Sequence, residues 1–170
     1  MTAPPTTAPL ATKPEKREQF LSHYLENLAL IERMHRLLLE VVKHEFKRVG
    51  LAEVNAGQGL LLFNIGEAEM TITELKNYGY YLGGSMSYNV NKLVKTGHIS
   101  AWRQPSDRRV VQIKLTLKGF EVRDIVHAML RRHCGVLQSK RTITLASIGQ
   151  VAKTLSHLEG HWQNQIHYIY

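Results

Sequence analysis

The sequence predicts a mainly α-helical chain that carries one small antiparallel β ribbon. Three observations lead there. Long stretches near both ends repeat apolar residues at helical spacing. Between them lies a capping-box tetrad with two short helical segments. Just beyond these, the run from Arg109 to Leu115 alternates apolar and polar residues with period two. At 170 residues the chain has the length of one domain with extensions and can bury a real core.

Residues 1–14 (MTAPPTTAPLATKP) hold four of the five prolines and no aromatic residue, the composition of a disordered tail. From Glu15 to Val49 one long helix is expected. Phe20, Tyr24, Leu28, Ile31, Leu38, Val41, Glu45 and Phe46 follow a heptad-like stripe, Met34 and Val42 lie beside it, and Gly50 stops the run. A helix of ~33 residues is ~50 Å long, more than one small domain covers, so part of its stripe should meet a second chain. Asn55 is a fitting cap for a shorter helix ending at Gly66, with Leu60, Leu61 and Phe63 inward.

Thr71-Ile72-Thr73-Glu74 is a capping box that opens a short helix ending by Gly79. A second helix is expected from about Gly83 to Gly97, with Met86, Val90, Leu93 and Val94 inward. Two short helices joined by a tight turn form a helix-turn-helix. Strands Ile99–Arg103 and Arg109–Leu115 follow as a hairpin, with Val111, Ile113 and Leu115 on one face. Thr116 is placed to cap the next helix, which Phe120, Ile125, Met129 and Leu137 carry to about Ser139. Ile148, Val151, Leu155, Leu158 and Trp162 then repeat at steps of 3, 4, 3 and 4, an a/d seam. Apolar helices on both sides of a compact centre point to an intertwined homodimer.

Lys+Arg number 22 against 14 Asp+Glu, a net charge of +8 that suits a polyanionic partner. The single cysteine, Cys134, excludes an intrachain disulfide framework and fits a reducing compartment. No apolar run approaches the ~18 residues of a membrane span. The N-terminus lacks the basic and apolar regions of a signal peptide, so a cytoplasmic location is expected.

In a helix-turn-helix the second helix enters the major groove. Its outward positions here are Ser85, Ser87, Tyr88, Asn91, Lys92 and Lys95. The hydroxyls and amide can bond base edges or phosphates, while the lysines supply charge to the backbone. Beyond it, Asp107, Arg108 and Arg109 form a charged turn after Pro105-Ser106, a good probe for a groove. Arg103 and Lys114 are weaker phosphate candidates on the ribbon.

The spacing of Asp107 and Arg109, then Ile113, Leu115, Thr116 and Gly119, resembles the wing of the MarR family (multiple antibiotic resistance regulators). Leu93, Gly97 and Ile99 stand where that family's recognition helix exits. The resemblance spans about Glu15 to Ile166 in element order. It implies a winged helix-turn-helix at 54–116, with dimerisation helices from 15–50 and 117–170. It implies a homodimer on a pseudo-palindromic DNA operator, Arg109 reaching the minor groove and Asp107 orienting it. It also implies repression released by a small aromatic or anionic effector. Tyr88 stands where many members carry a basic residue, so its base preference is its own.

Met34, His35, Leu38, Phe63, Arg123 and His127 are the candidate lining of an effector pocket. The apolar ones would cover a ring, and Arg123 or a protonated histidine would meet a carboxylate; as ordinary core, the apolar three need no ligand. His157 and His161 share a helix face but lack further ligands, so neither metal nor cofactor is expected. Cys134, beside Arg131, Arg132 and His133, is a packing residue or an oxidisable thiol. No catalytic signature surrounds it, and an enzyme is not expected. The alternative is a winged-helix protein-interaction module without DNA binding. It would show a neutral or acidic recognition face, which the lysines and the Asp107-Arg108-Arg109 turn oppose.

Overall fold

Proline is well tolerated in a first helical turn, where its missing N–H has no partner to lose, and Pro14 sits there. The structure, a computed structural model, describes residues 13–77, 84–140 and 143–169, and its first helix, α1, runs Lys13–Arg48. The expected start at Glu15 is therefore two residues late, and Lys13 and Pro14 leave the tail. Residues 1–12 of that tail, and the Gly79 and Gly83 ends of the two short helices, lie outside the described residues. So does the side chain of Ser85.

The chain divides into two compact units, one to Gly57 and one from Gln58. In the first, α1 ends at Gly50, whose φ of 74° is the left-handed conformation a helix terminus uses. Leu51 N–H reaches the Phe46 carbonyl at 2.9 Å and Gly50 N–H the Lys47 carbonyl at 3.3 Å, which satisfies two otherwise orphaned acceptors. Val42 and Phe46 are buried near this end. Glu45 is buried too, held by Arg48 at 2.7 Å and 2.9 Å. Towards the other end the apolar stripe is open to solvent in the single chain, Phe20 being 72% exposed and Met34 65%.

In the second unit, α2 (Ala56–Ile65) turns Leu61, Leu62 and Ile65 inward, while Phe63 is only half-buried. Leu60 and Leu61 are buried as expected, while Gln58, Leu61, Leu62 and Ile65, the i, i+3, i+4, i+7 set, take the inner place expected of Phe63.

A two-residue strand, β1 (Met70–Thr71), precedes α3 (Ile72–Asn77) and has no counterpart in the sequence reading. The expected capping box closes here. Thr71 N–H donates to Glu74 Oε2 at 2.6 Å, and Glu74 N–H donates to Thr71 Oγ1 at 3.0 Å. The backbone hydrogen bond from Thr71, aided by its hydroxyl, holds the Glu74 carboxyl below its ordinary 4.5. A lowered folded-state pKa gives stability that is present above the unfolded value and lost as pH falls through the folded value. The stability difference between wild type and Glu74→Gln in urea should therefore be present at about pH 7 and shrink in acid towards about pH 3. A difference that stays constant over that range would contradict the capping role.

Next, α4 (Gly84–Lys95) buries Met86, Val90 and Leu93 and ends at Gly97, φ 77°. His98 N–H bonds the Leu93 carbonyl at 2.8 Å and Gly97 N–H the Val94 carbonyl at 3.0 Å, the same terminal motif as in α1. Strands β2 (Ile99–Arg103) and β3 (Val111–Leu115) pair antiparallel with Ile99 opposite Leu115 and Arg103 opposite Val111. β1 adds to the other side of β3, Met70 opposite Ile113, giving the order β1-β3-β2. Ile113 and Leu115 are buried and Val111 half-buried, the alternation expected of the ribbon. Arg109, expected at the strand's start, lies instead in the turn before β3.

Thr116 caps α5 (Leu117–Ser139), accepting from Gly119 N–H at 3.2 Å. Val122, Val126 and Met129 are buried on α5, whereas Phe120 and Ile125 are half-buried and Leu137 is exposed. Two apolar sets share this helix, and the buried one holds Met129, as expected, with two valines that the sequence pattern did not single out. α6 (Leu145–Ile169) follows. Its seam residues Ile148, Val151, Leu155 and Trp162 are exposed in the single chain, and Leu158 is half-buried.

Candidate nucleic-acid interface

Burying Met86, Val90 and Leu93 on one side of α4 leaves the other side to carry function. Ser87, Tyr88, Asn91 and Lys95 are exposed and Lys92 is half-buried, as expected from the sequence. Tyr88 is 66% exposed, an open position for a large aromatic ring. Tyr88, Asn91, Lys92 and Lys95 line one open recess of about 320 Å³. One face therefore presents a phenol, an amide and two ammonium groups, the chemistry that meets phosphates and base edges.

This helix is anchored at its C-terminal end. Thr96 donates to the Lys92 carbonyl at 3.0 Å and bonds His98 Nδ1 at 2.8 Å, with His98 fully buried. Thr116 N–H donates to the His98 carbonyl at 3.1 Å, and its hydroxyl to the Gly97 carbonyl at 2.6 Å. Lys118 Nζ reaches the Thr96 carbonyl at 3.3 Å. Gly119 makes this junction possible: a Cβ there would lie 2.2 Å from the His98 carbonyl oxygen. The exit of α4, the end of β3 and the start of α5 are thus one hydrogen-bonded knot.

Across the sheet, residues 104–110 form the tip of the hairpin. Asp107 Oδ1 accepts the Arg109 backbone N–H at 2.9 Å, and the Asp107 carbonyl accepts Val110 N–H at 3.0 Å. Asp107 therefore orients Arg109 through the turn's backbone, not by gripping its guanidinium. Arg108 and Arg109 are both exposed, and among the described residues neither guanidinium has an acidic partner. Arg103 and Lys114, the weaker phosphate candidates, each have a partner within the protein. Arg103 donates to the Arg108 carbonyl at 3.2 Å and braces the tip. Lys114 pairs with Glu69 at 3.1 Å and stands 5.2 Å from the centre of the Trp102 ring, so its charge is already matched.

Residues 53–110, which hold α2, α3, α4 and β2 and end at this tip, match the family model described as the MarR family. Over that segment the chain is similar to the MarR family. Proteins of that family are DNA-binding transcriptional regulators. Among curated relatives, the exopolysaccharide II synthesis transcriptional activator ExpG of Rhizobium meliloti (strain 1021) is 28% identical over 149 residues, 85% of this chain and 74% of that protein. Among solved structures, the transcriptional regulator BldR from Sulfolobus solfataricus superposes with a TM-score of 0.66 at 20% identity, over 81% of this chain and 97% of that one. A mutant of MarR from E. coli complexed with operator DNA gives 0.62 at 20% identity, over 80% and 95%. At such identities the two structures speak for the fold.

The candidate effector residues fall in both units. Met34 and His35 are exposed and Leu38 half-buried on α1. In the second unit Phe63 and His127 stack, with ring centroids 6.4 Å apart and planes at 28°. Arg123 lies over the Phe120 ring at 5.2 Å and pairs with Glu67 and Asp124, each at 3.1 Å. A carboxylate ligand at Arg123 would compete with those two partners for the guanidinium charge. Among the described residues, no three His, Cys, Asp or Glu side chains are grouped to hold a metal ion, and no helix is long and apolar enough to cross a membrane.

Sequence reasoning missed one pair at the interface. Gln58, 1% exposed on α2, donates through Nε2 to Asn89 Oδ1 on α4 at 3.1 Å. The signal was present as a lone amide at an inward position of an apolar helix, since a buried carboxamide requires a partner. Its partner, 31 residues away, could not be read from spacing.

Proposed function

We propose that this regulator is a cytoplasmic homodimer that places two copies of α4 and of the 104–110 tip on a pseudo-palindromic operator. The observation that carries this reading is the exposed face of Ser87, Tyr88, Asn91 and Lys95, together with a wing tip whose two arginines have no acidic partner among the described residues. α4 supplies the major-groove contacts and Arg109 the minor-groove contact, where a narrow groove concentrates negative potential. The gel shift of genomic DNA at rising salt tests it. Retardation of selected fragments that weakens with salt supports the reading, and no retardation at low salt rejects it.

The homodimer rests on the apolar residues open on α1 and α6 in the single chain, a surface that water disfavours. Sedimentation at low micromolar concentration should show no monomer. A well-folded monomer there would contradict the intertwined arrangement.

We further assign the candidate effector residues of the second unit, Phe63, Arg123 and His127, to an effector site that loosens the DNA grip. An effector can do so only by binding the DNA-free form more tightly, and linkage makes the effect reciprocal. Calorimetric titration of an aromatic acid such as salicylate should therefore give weaker binding in the presence of operator. Equal affinities would mean that the site does not regulate. The family resemblance favours repression, while the name of the Rhizobium relative favours activation. Transcription from the operator in vitro, with and without the protein, decides the sign.

A further inference from the structure

We propose that Gln58 is a positioning residue that fixes the amide of Asn89 on α4, so that Asn89 reads the operator as a hydrogen-bond donor only. The inference rests on the DNA-binding reading above and goes beyond it to a rule of sequence preference. Asn89 is half-buried at the edge of the outward face, one residue after exposed Tyr88, one before buried Val90, and three before Lys92. It can therefore touch both the protein interior and whatever lies against α4.

A free asparagine carboxamide can rotate to offer either end. On DNA it favours adenine, accepting from N6–H and donating to N7 with both ends at once. Gln58 removes that choice. Its Nε2 N–H is a donor, so the Asn89 atom facing it at 3.1 Å is the oxygen. Reversing the Asn89 amide would set two donors against each other in a buried site, since Gln58 is 1% exposed. With Oδ1 turned towards α2, the Nδ2 hydrogens are the end left for DNA. They match guanine, whose O6 and N7 are both acceptors, or thymine O4; at adenine they can meet N7 but leave N6–H without its acceptor, so the two-bond adenine pair is not completed.

The test is selection of duplexes from a randomised pool, comparing wild type, Gln58→Met, Asn89→Ala and the double variant, each checked for folding by circular dichroism. Wild type should favour guanine or thymine over adenine by about fivefold at one position in each half-site. Gln58→Met fills similar space without a donor and frees Oδ1, so preference at that position should move towards adenine. Asn89→Ala should erase preference there, and adding Gln58→Met to it should change nothing further. Unchanged preference in Gln58→Met, or a shift that persists without Asn89, overturns the proposal while leaving the regulator reading intact. If Gln58→Met does not fold, Asn89→Ala decides: loss of preference at one position supports the proposal, and an unchanged profile overturns it. Wild type that binds every sequence equally would overturn both.

Discussion

Gly119→Ala is expected to destabilise the protein by about 2 kcal/mol. Two opposed effects set that figure. Alanine gains up to ~1 kcal/mol over glycine in a helix. Against this, the new methyl would lie 2.2 Å from the His98 carbonyl oxygen, 3.2 Å from its carbon and 3.3 Å from Leu115 Cβ. The nearest atom is backbone and cannot rotate away, so the first turn of α5 must lift and stretch the Thr116 bonds to His98 and Gly97. Overpacking of this kind costs about 3 kcal/mol, and the clash wins. Because the same knot ties the exit of α4 to β3, DNA affinity should fall with stability. Urea unfolding of wild type and variant measures the first effect. Superimposable curves would show that α5 does not approach His98 as described.

Arg109→Ala should weaken operator binding by roughly 1–3 kcal/mol, tenfold or more, without lowering the unfolding midpoint. The side chain is exposed and has no acidic partner among the described residues, so its removal leaves nothing unsatisfied. What holds the turn is the Asp107 carboxylate on the Arg109 backbone N–H, which the variant keeps. Asp107→Asn supplies the contrast: the amide oxygen can accept the same N–H, so the tip keeps its form and affinity should hold. Fluorescence anisotropy with a labelled operator measures both. Wild-type affinity in Arg109→Ala would remove the tip from the interface.

Much of this arrangement was legible because local chemistry dictates it. The reciprocal bonds of Thr71 and Glu74, the cap at Thr116, the limits of β2 and the end of α5 at Ser139 all follow from residues within one turn of each other. The left-handed glycines Gly50 and Gly97 closed helices where expected. Less was legible where neighbours distant in sequence choose. β1 has two residues, too few to show a period, and exists because β3 offers a free edge beside the capping box. Phe63 yields the inner face of α2 to Leu62 and Ile65, and Ile125 yields that of α5 to Val122 and Val126, since both helices carry more than one apolar set.

The interface divides in the same way. The exposed residues of α4 follow from helical period and polarity. The task of Asp107, and those of Arg103 and Lys114, depend on where a hydrogen bond or an acidic partner falls across the hairpin. Gln58 and Asn89 show the limit most clearly, since an inward amide announces that it has a partner but not which one.

Hydroxyl-radical footprinting of a selected operator tests most directly whether a dimer reads DNA through paired copies of α4 and the wing. Two protected half-sites related by a dyad, centred ~34–36 Å apart along the duplex, are expected. Arg109→Ala should thin the protection in the minor groove beside each. A single protected half-site, or uniform protection along any duplex, would contradict it.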